Sequence, residues 1–132
     1  MMYEKLVAEA TTLQGFIEEP WVEDASVIVE RGNAIAVWLA RSSVMLAEAK
    51  RIYNTARTSE IGELIKTVFA ENKLSANVQN QMMSAVCEKE QYLVDWITEQ
   101  NKTLKHQLDW CRTSISKYKS ELSIANMGRE FS

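Results

Sequence analysis

The C-terminal part of the chain, residues 79–127, contains no glycine and no proline, and its apolar residues recur every seven positions. Two such rows are offset alternately by four and three residues, which is the spacing of a coiled-coil seam or of a long helix in a bundle. The sequence therefore predicts an all-α fold. The first row is Leu108, Ile115 and Leu122, and the second is Ile97, Leu104, Cys111, Tyr118 and Ala125.

A second long helix, predicted over residues 21–57, carries three adjacent rows of the same kind. Three rows make an apolar face broader than a two-stranded seam, so we expect this helix to contact at least two neighbours. The rows are Trp38, Met45 and Ile52; Leu39, Leu46 and Tyr53; and Ile28, Ile35, Ser42, Ala49 and Ala56.

Helix-breaking and helix-capping residues divide the chain into four predicted helices. Pro20 ends the first helix and can serve as the first residue of the second, where its missing N–H costs nothing. Ser59 and Ser75 are favoured N-caps, and Gly128 is a natural stop. The predicted helices cover residues 3–17, 21–57, 60–72 and 76–126.

We predict one helical domain over residues 1–132, a long-helix antiparallel hairpin or bundle of about four helices with coiled-coil-like heptad packing. At 1.5 Å per residue the last helix would be roughly 75 Å long, which is too long for a small globule. It must kink near residues 88–91, project from the bundle, or be covered by another chain. We therefore expect self-association, with a dimer as the favoured state.

The composition is that of an ordinary globular domain, with 46% hydrophobic and 25% charged residues. The longest apolar run, residues 34–40, is far shorter than the about 20 residues needed to span a bilayer, and the N-terminus lacks the layout of a signal peptide. We expect a cytoplasmic protein. Cys87 and Cys111 lie too far apart on one helix to form a disulfide, so we expect both to be buried, reduced thiols.

Asn101 falls on the seam of the last helix, between Val94 and Leu108. A single buried asparagine in such a seam can set register and oligomeric state. In the alternative, Asn101 faces water or a local polar contact. The seam residues, with Trp96 on a separate face of the same helix, are the expected protein–protein interface. They are Trp96, Asn101, Leu104, Leu108, Cys111, Ile115, Tyr118 and Leu122.

Charge is unevenly distributed along the chain, whose net charge is −3. Residues 1–30 contain seven acidic residues against Lys5 alone, whereas residues 102–119 are basic. The favoured interpretation is that the basic flank of the last helix pairs with the acidic flank of a neighbouring helix. The alternative is a nucleic-acid surface, with bases stacking on Trp96 and Trp110. Its candidate residues are Lys102, Lys105, Trp110, Arg112, Lys117 and Lys119.

No set of residues typical of catalysis or cofactor binding stands out in the sequence. His106, the only histidine, lies near Asp109 and Cys111, but a metal site needs three or four ligands. A nucleophile–base pair would also have to be built around His106, and Cys111 projects about 140° away from it on a helix. We therefore predict a non-enzymatic assembly or adaptor protein without metal or cofactor. An accessory nucleic-acid-binding factor is the alternative.

The segment of residues 103–122 resembles the C-terminal helix of short, uncharacterised helical proteins encoded by phages and integrated elements. The resemblance implies an origin in a mobile element and an accessory role near DNA metabolism, and it implies no catalytic residue. It rests on His106, Asp109, Arg112, Ser116, Lys119 and Glu121, with weaker support from Ala47, Glu48 and Ala49.

Overall fold

The computed structural model describes residues 2–73 and 75–131, and over those residues it contains only helices and connecting turns. The predicted all-α class is confirmed, with five helices in the described residues in place of about four. The helices are α1 (Met2–Glu18), α2 (Ala25–Arg57), α3 (Glu60–Asn72), α4 (Ala76–Val86) and α5 (Glu88–Phe131).

The additional helix arises from a break at Cys87, which divides the predicted helix of residues 76–126 into α4 and α5. Cys87 leaves helical geometry (φ −104°, ψ 27°), while its N–H still bonds the Met83 carbonyl at 3.1 Å. Its side chain is 1% exposed, so a buried thiol, and not a glycine or proline, marks the break. α5 also continues through Gly128. The predicted stop there is wrong, because one glycine costs a helix only about 1 kcal/mol.

α2 begins four residues later than predicted, because Asp24 is its N-cap. The Asp24 carboxylate accepts hydrogen bonds from the backbone N–H groups of Ser26 (3.0 Å) and Val27 (3.4 Å), which satisfies two amides of the first turn. Pro20 consequently lies in the non-helical segment between α1 and α2. The prediction that it opens α2 is wrong.

Ser59 and Ser75 are confirmed as the N-caps of α3 and α4. The Ser59 hydroxyl accepts a hydrogen bond from the Gly62 N–H at 3.4 Å, and the Ser75 hydroxyl accepts one from the Val78 N–H at 3.3 Å. The two short helices pack against each other and link the end of α2 to the start of α5. They therefore close one end of the molecule and leave the long helices to extend away from it.

α2 and α5 make the most extensive contact between helices and run in opposite directions. The Tyr118 hydroxyl of α5 donates to the Glu23 carbonyl just before α2, at 3.2 Å. Earlier in α5, the Asn101 side-chain amide donates to the Ser42 hydroxyl in the middle of α2, at 2.8 Å. Residue numbers thus fall along α5 as they rise along α2.

α1 packs against both long helices and runs parallel to α5. The Gln100 amide of α5 donates to the Ala10 carbonyl at 2.8 Å, and the Gln107 amide donates to the Ile17 carbonyl at 3.3 Å. α2 therefore contacts both α1 and α5, in addition to α3, in agreement with the expectation of at least two neighbours. The buried core between the three helices consists of Leu6, Ala10, Leu13, Ile28, Ile35, Met45, Ala49, Leu93, Ile97, Leu104 and Cys111.

Candidate protein-interaction surface

Three of the expected interface residues are buried between α5 and α2 of the same chain. Leu104 and Cys111 are 0% and 1% exposed. Asn101 lies in the seam and donates hydrogen bonds to the hydroxyls of Ser42 (2.8 Å) and Ser43 (3.3 Å). The alternative in which Asn101 faces water is therefore wrong. Its partners belong to this chain, so its position fixes how α5 lies against α2.

Two tryptophans of α5 face α1 and the segment that follows it. The indole N–H of Trp96 donates to the Gln14 side-chain oxygen at 3.1 Å. The Trp110 ring meets the Trp21 ring edge-on, with centroids 5.0 Å apart and an interplanar angle of 90°. Trp96 is half-buried by this packing, whereas Trp110 remains 41% exposed.

The basic and aromatic candidates for nucleic-acid binding do not form one face of α5. Because successive residues of an α-helix are rotated by about 100°, Lys105 lies about 180° from Trp96, and Arg112 about 200° from Trp110. Lys119 shares the flank of Lys105 and Arg112, since these three are seven residues apart. Lys102 lies one turn before Lys105 and borders that flank, whereas Lys117 lies outside it and follows Trp110 by seven residues.

Over residues 2–73 and 75–131, no ion pair joins the basic flank of α5 to the acidic N-terminal region, which corrects the favoured interpretation within one chain. Arg112 approaches Asp109 of its own helix at 3.9 Å. Lys102 likewise approaches Glu99 at 3.3 Å. In the part of the chain that the structure describes, Lys105, Lys117 and Lys119 make no ion pair.

Two acids of the N-terminal region, Glu9 and Glu19, pair instead with arginines of α2. Arg41 binds both carboxylate oxygens of Glu9. Arg31, only 8% exposed, approaches Glu19 at 3.5 Å and donates to the Phe16 carbonyl. Its guanidinium also lies 3.8 Å from the centroid of the Phe16 ring. Arg31 thus fastens the end of α1 to α2. Sequence reasoning missed it, although it stands between Ile28 and Ile35 at core spacing.

The α2–α5 pair is covered by α1 on one side only. On that side the Trp38 ring of α2 lies 6.2 Å from the Phe16 ring of α1. On the other side, where Asn101 reaches Ser43, half-buried apolar side chains of both helices form a surface that we call the open groove. By helical spacing its residues are Leu39, Leu46, Tyr53, Val94, Leu108 and Ile115, all of them half-buried.

The open groove deepens into a cavity of about 230 Å³ where α2 begins. Ile115 and Leu122 line it from the seam row of α5, and Val29 lines it from α2. Leu122 is 63% exposed and Val29 is 46% exposed. Of the expected interface residues, Leu122 is therefore the one most available to another chain. The full lining is Ala25, Val29, Ile115, Tyr118, Lys119 and Leu122.

Beyond Tyr118, α5 extends past the start of α2. We call residues 119–131 the projecting segment; at 1.5 Å per residue it is about 20 Å long. Leu122, Ile124 and Met127 are 63%, 69% and 54% exposed. Because Ile124 lies about 200° around the helix from Leu122, apolar side chains are present on more than one side of this segment.

A second exposed apolar patch lies on the two short helices. α4 contains no charged residue and exposes Val78, Met82 and Val86 at four-residue intervals, which places them on one side. Leu64 and Val68 of α3 are also exposed. Sequence reasoning did not single out this patch, because a run of small and polar residues between two caps gives only a weak helical pattern.

The two thiols and the imidazole of the chain differ in exposure. Cys87 and Cys111 are free and buried, and burial is the main cause that raises the pKa of each thiol. His106 is exposed. Over the residues that the structure describes, no three His, Cys, Asp or Glu side chains come together as metal ligands would.

No helix among residues 2–73 and 75–131 has the length and apolarity required to cross a membrane. Comparisons with protein-family models, curated proteins and solved structures give no match to this chain. The resemblance of residues 103–122 to phage-encoded helical proteins therefore stays a prediction.

Proposed function

We propose that the chain is a non-enzymatic helical assembly or adaptor protein of the cytoplasm that acts through protein–protein association, in the first place as a dimer with itself. The observation that supports this most is the projecting segment. Three large apolar side chains among its residues 119–128, those of Leu122, Ile124 and Met127, are each more than half exposed. We infer heptad packing between α2 and α5, and the projecting segment would extend this packing to a second chain.

The physical reason is that a short helix is marginally stable in water unless tertiary contacts support it. A helix that is apolar on several sides is typical of a buried position. Complete burial of one large aliphatic side chain contributes about 1.5–3 kcal/mol relative to exposure. A second projecting segment beside the first would bury several such side chains and stabilise both helices.

The test is the oligomeric state of the intact chain. We expect sedimentation velocity and light scattering at tens of micromolar to show a dimer, and Leu122→Asp with Ile124→Asp to convert it to a monomer. Because both side chains are exposed in the single chain, the helical circular dichroism should be retained. A matched control is Ser116→Asp with Ser123→Asp, which adds the same charge at exposed polar positions and should leave the dimer intact. A wild-type chain that is strictly monomeric would refute the proposal.

The alternative function is accessory nucleic-acid binding, consistent with an origin in a mobile element. It is favoured by the exposed side chains of Lys105 and Lys119, which make no ion pair in the described residues. It is weakened by the separation of the tryptophans from this flank. Phosphate binding would be salt-sensitive, so a titration with single- and double-stranded DNA at about 50 mM salt should show binding that Lys105→Glu with Arg112→Glu abolishes. The same double variant should leave the dimer intact.

A further inference from the structure

We propose that the open groove binds an amphipathic helix with acidic flanks, contributed by a different protein. The groove runs along the side of the α2–α5 pair that α1 does not cover. Two helices packed side by side with a third on one face leave a fourth position of the kind that helix bundles fill. This inference does not depend on the oligomeric state of the chain, and of the projecting segment it uses only the first residue, Lys119.

The floor of the open groove has the periodicity that a helical partner requires. Leu39, Leu46 and Tyr53 are seven residues apart on α2, and Leu108 and Ile115 are seven apart on α5. All are half-buried, so each presents part of an apolar side chain to the solvent. A helix laid along the floor would place its own apolar row, repeated every three or four residues, between these two rows.

The charged residues along both edges of the groove are lysines and arginines. Heptad spacing places Lys50 and Arg57 on the α2 edge, and Lys105, Arg112 and Lys119 on the α5 edge. No acidic residue occupies either row, although Asp109 lies beside the α5 row and approaches Arg112 at 3.9 Å. The remaining members of the rows are Val29, Ala36 and Ser43 on the α2 edge and Thr98 on the α5 edge.

This local positive charge points to the chemistry of the occupant. The chain as a whole has a net charge of −3, so the charge of the groove edges is opposite in sign to the net charge of the protein. The same groove of a second copy would bring like charges together, which opposes a face-to-face dimer here. A partner with Glu or Asp beside its apolar row would instead meet complementary charge.

The antiparallel arrangement of α2 and α5 also sets where those acids belong. Lys50 and Arg57 lie near the α3 end of the groove, whereas Arg112 and Lys119 lie near the start of α2. The partner helix should therefore carry acids on one flank at one end and on the opposite flank at the other end. A helix of 25 residues would cover about 37 Å, well within the roughly 50 Å length of α2.

Near the middle of α2, the groove edge carries a small side chain, which allows a helix to approach closely. Ala36 is exposed and lies on the groove edge, while its neighbour Val37, 71% exposed, is rotated away by about 100°. Ala36→Trp should obstruct the groove, and Val37→Trp should not. The two positions thus provide a matched pair of variants that need not disturb the core.

The experiment uses the intact chain and two designed helical peptides of 25 residues. Both carry leucines at heptad spacing; one has glutamates in the diagonal flank pattern, and the other has lysines at the same positions. We expect fluorescence anisotropy to show that the glutamate peptide binds. Its affinity should fall at least about tenfold with Lys105→Glu plus Arg112→Glu, and also with added salt. Ala36→Trp should weaken binding by a similar factor. Val37→Trp should bind as the wild type does.

Several results would overturn the inference. One is a Kd weaker than about 100 µM for the glutamate peptide; another is equal binding of the lysine peptide. Binding that survives Ala36→Trp would place the peptide elsewhere on the surface. A dimer abolished by Ala36→Trp, with the peptide bound only to the monomer, would make a second copy the occupant. If DNA displaces the peptide, and the double charge reversal abolishes DNA binding, the groove would be assigned to nucleic acid.

Discussion

Asn101 and Ser42 join α5 to α2 through a hydrogen bond of 2.8 Å inside an otherwise apolar seam. Asn101 is 6% exposed and Ser42 is fully buried, and the Ser42 hydroxyl in turn donates to the Leu39 carbonyl at 2.9 Å. A shift of α5 by one helical turn would leave the buried amide without this acceptor. The pair therefore specifies the register of the two longest helices, because an unpaired buried polar group is costly.

We predict that Asn101→Ala lowers the free energy of unfolding by about 1–3 kcal/mol, measured by urea denaturation. Asn101→Leu combined with Ser42→Ala should cost less than the two single changes added together, because replacing both partners by apolar groups leaves no polar group unpaired. Strict additivity of the two changes would show that the hydrogen bond does not couple the helices.

Two glycines should respond in opposite directions to the same substitution. A Cβ at Gly32 would lie 3.6 Å from the Cys111 Cβ, an ordinary contact, whereas a Cβ at Gly62 would lie 2.1 Å from the Arg57 carbonyl oxygen. Because alanine favours helix over glycine by about 1 kcal/mol, Gly32→Ala should raise the free energy of unfolding by about that amount. Gly62→Ala should lower it by about 1–3 kcal/mol through overpacking. Thermal and urea unfolding of the two variants would check the signs.

The Glu9–Arg41 pair should make stability fall in acid. The hydrogen bonds from Arg41 are the main cause that lowers the pKa of Glu9. The contribution of this ion pair to the free energy of unfolding is therefore complete above the unfolded pKa of about 4.3. It is lost as the pH falls through the lowered folded pKa of Glu9. It is below about 1 kcal/mol, because the side chains are 41% and 36% exposed.

The matched comparison for this pair is Glu9→Gln, which removes the charge. The difference in free energy of unfolding between wild type and variant should be constant from about pH 6 to 8 and should shrink as the pH falls through the lowered folded pKa of Glu9. The pKa of Asp24 is also lowered, chiefly by the hydrogen bond from the Ser26 hydroxyl, but Asp24 is present in both proteins and cancels. A difference that grows in acid would contradict the prediction.

Both thiols should react slowly in the folded protein. Burial is the main cause that raises the pKa values of Cys87 and Cys111, and the thiolate is the reactive form. Modification with a disulfide reagent at pH 8 should therefore be slow in buffer, and both thiols should react rapidly in denaturant. Fast modification of Cys87 alone would mean that the break between α4 and α5 opens in the native state.

Seven-residue spacing predicts much of the fold, because it shows which side of each long helix is apolar and is therefore buried. The rows beginning at Ile28 and Ile97 supply much of the observed core, and the Ser59 and Ser75 caps act through local hydrogen bonds that the sequence displays directly. The break at Cys87 lies one residue before residues 88–91, where a kink is one of three alternatives for the long C-terminal helix. Seven-residue spacing could not decide among those alternatives, because the break depends on which neighbours bury the Cys87 side chain.

The candidate surface was harder to predict than the core for a related reason. Helical spacing places Lys105, Arg112 and Lys119 on one flank, but it does not show which acids are already used by other cations. The structure assigns Glu9 and Glu19 to arginines of α2, which leaves the α5 flank without those partners. Spacing likewise identifies the Leu39 row of α2 as apolar. It does not show that α1 packs on the other side of the α2–α5 pair and leaves this row uncovered.

The link formed by α3 and α4 also determines the order in which the long helices can close during folding. Facing residues of α2 and α5 are separated by 59 positions at Ser42 and Asn101, and by 95 at Glu23 and Tyr118. Because the entropic cost of closing a loop grows with its length, pairing is cheapest beside α3 and α4 and should proceed from there. The end that carries the projecting segment would then form last and open first, so the region we propose for partners is also the one most easily remodelled by them.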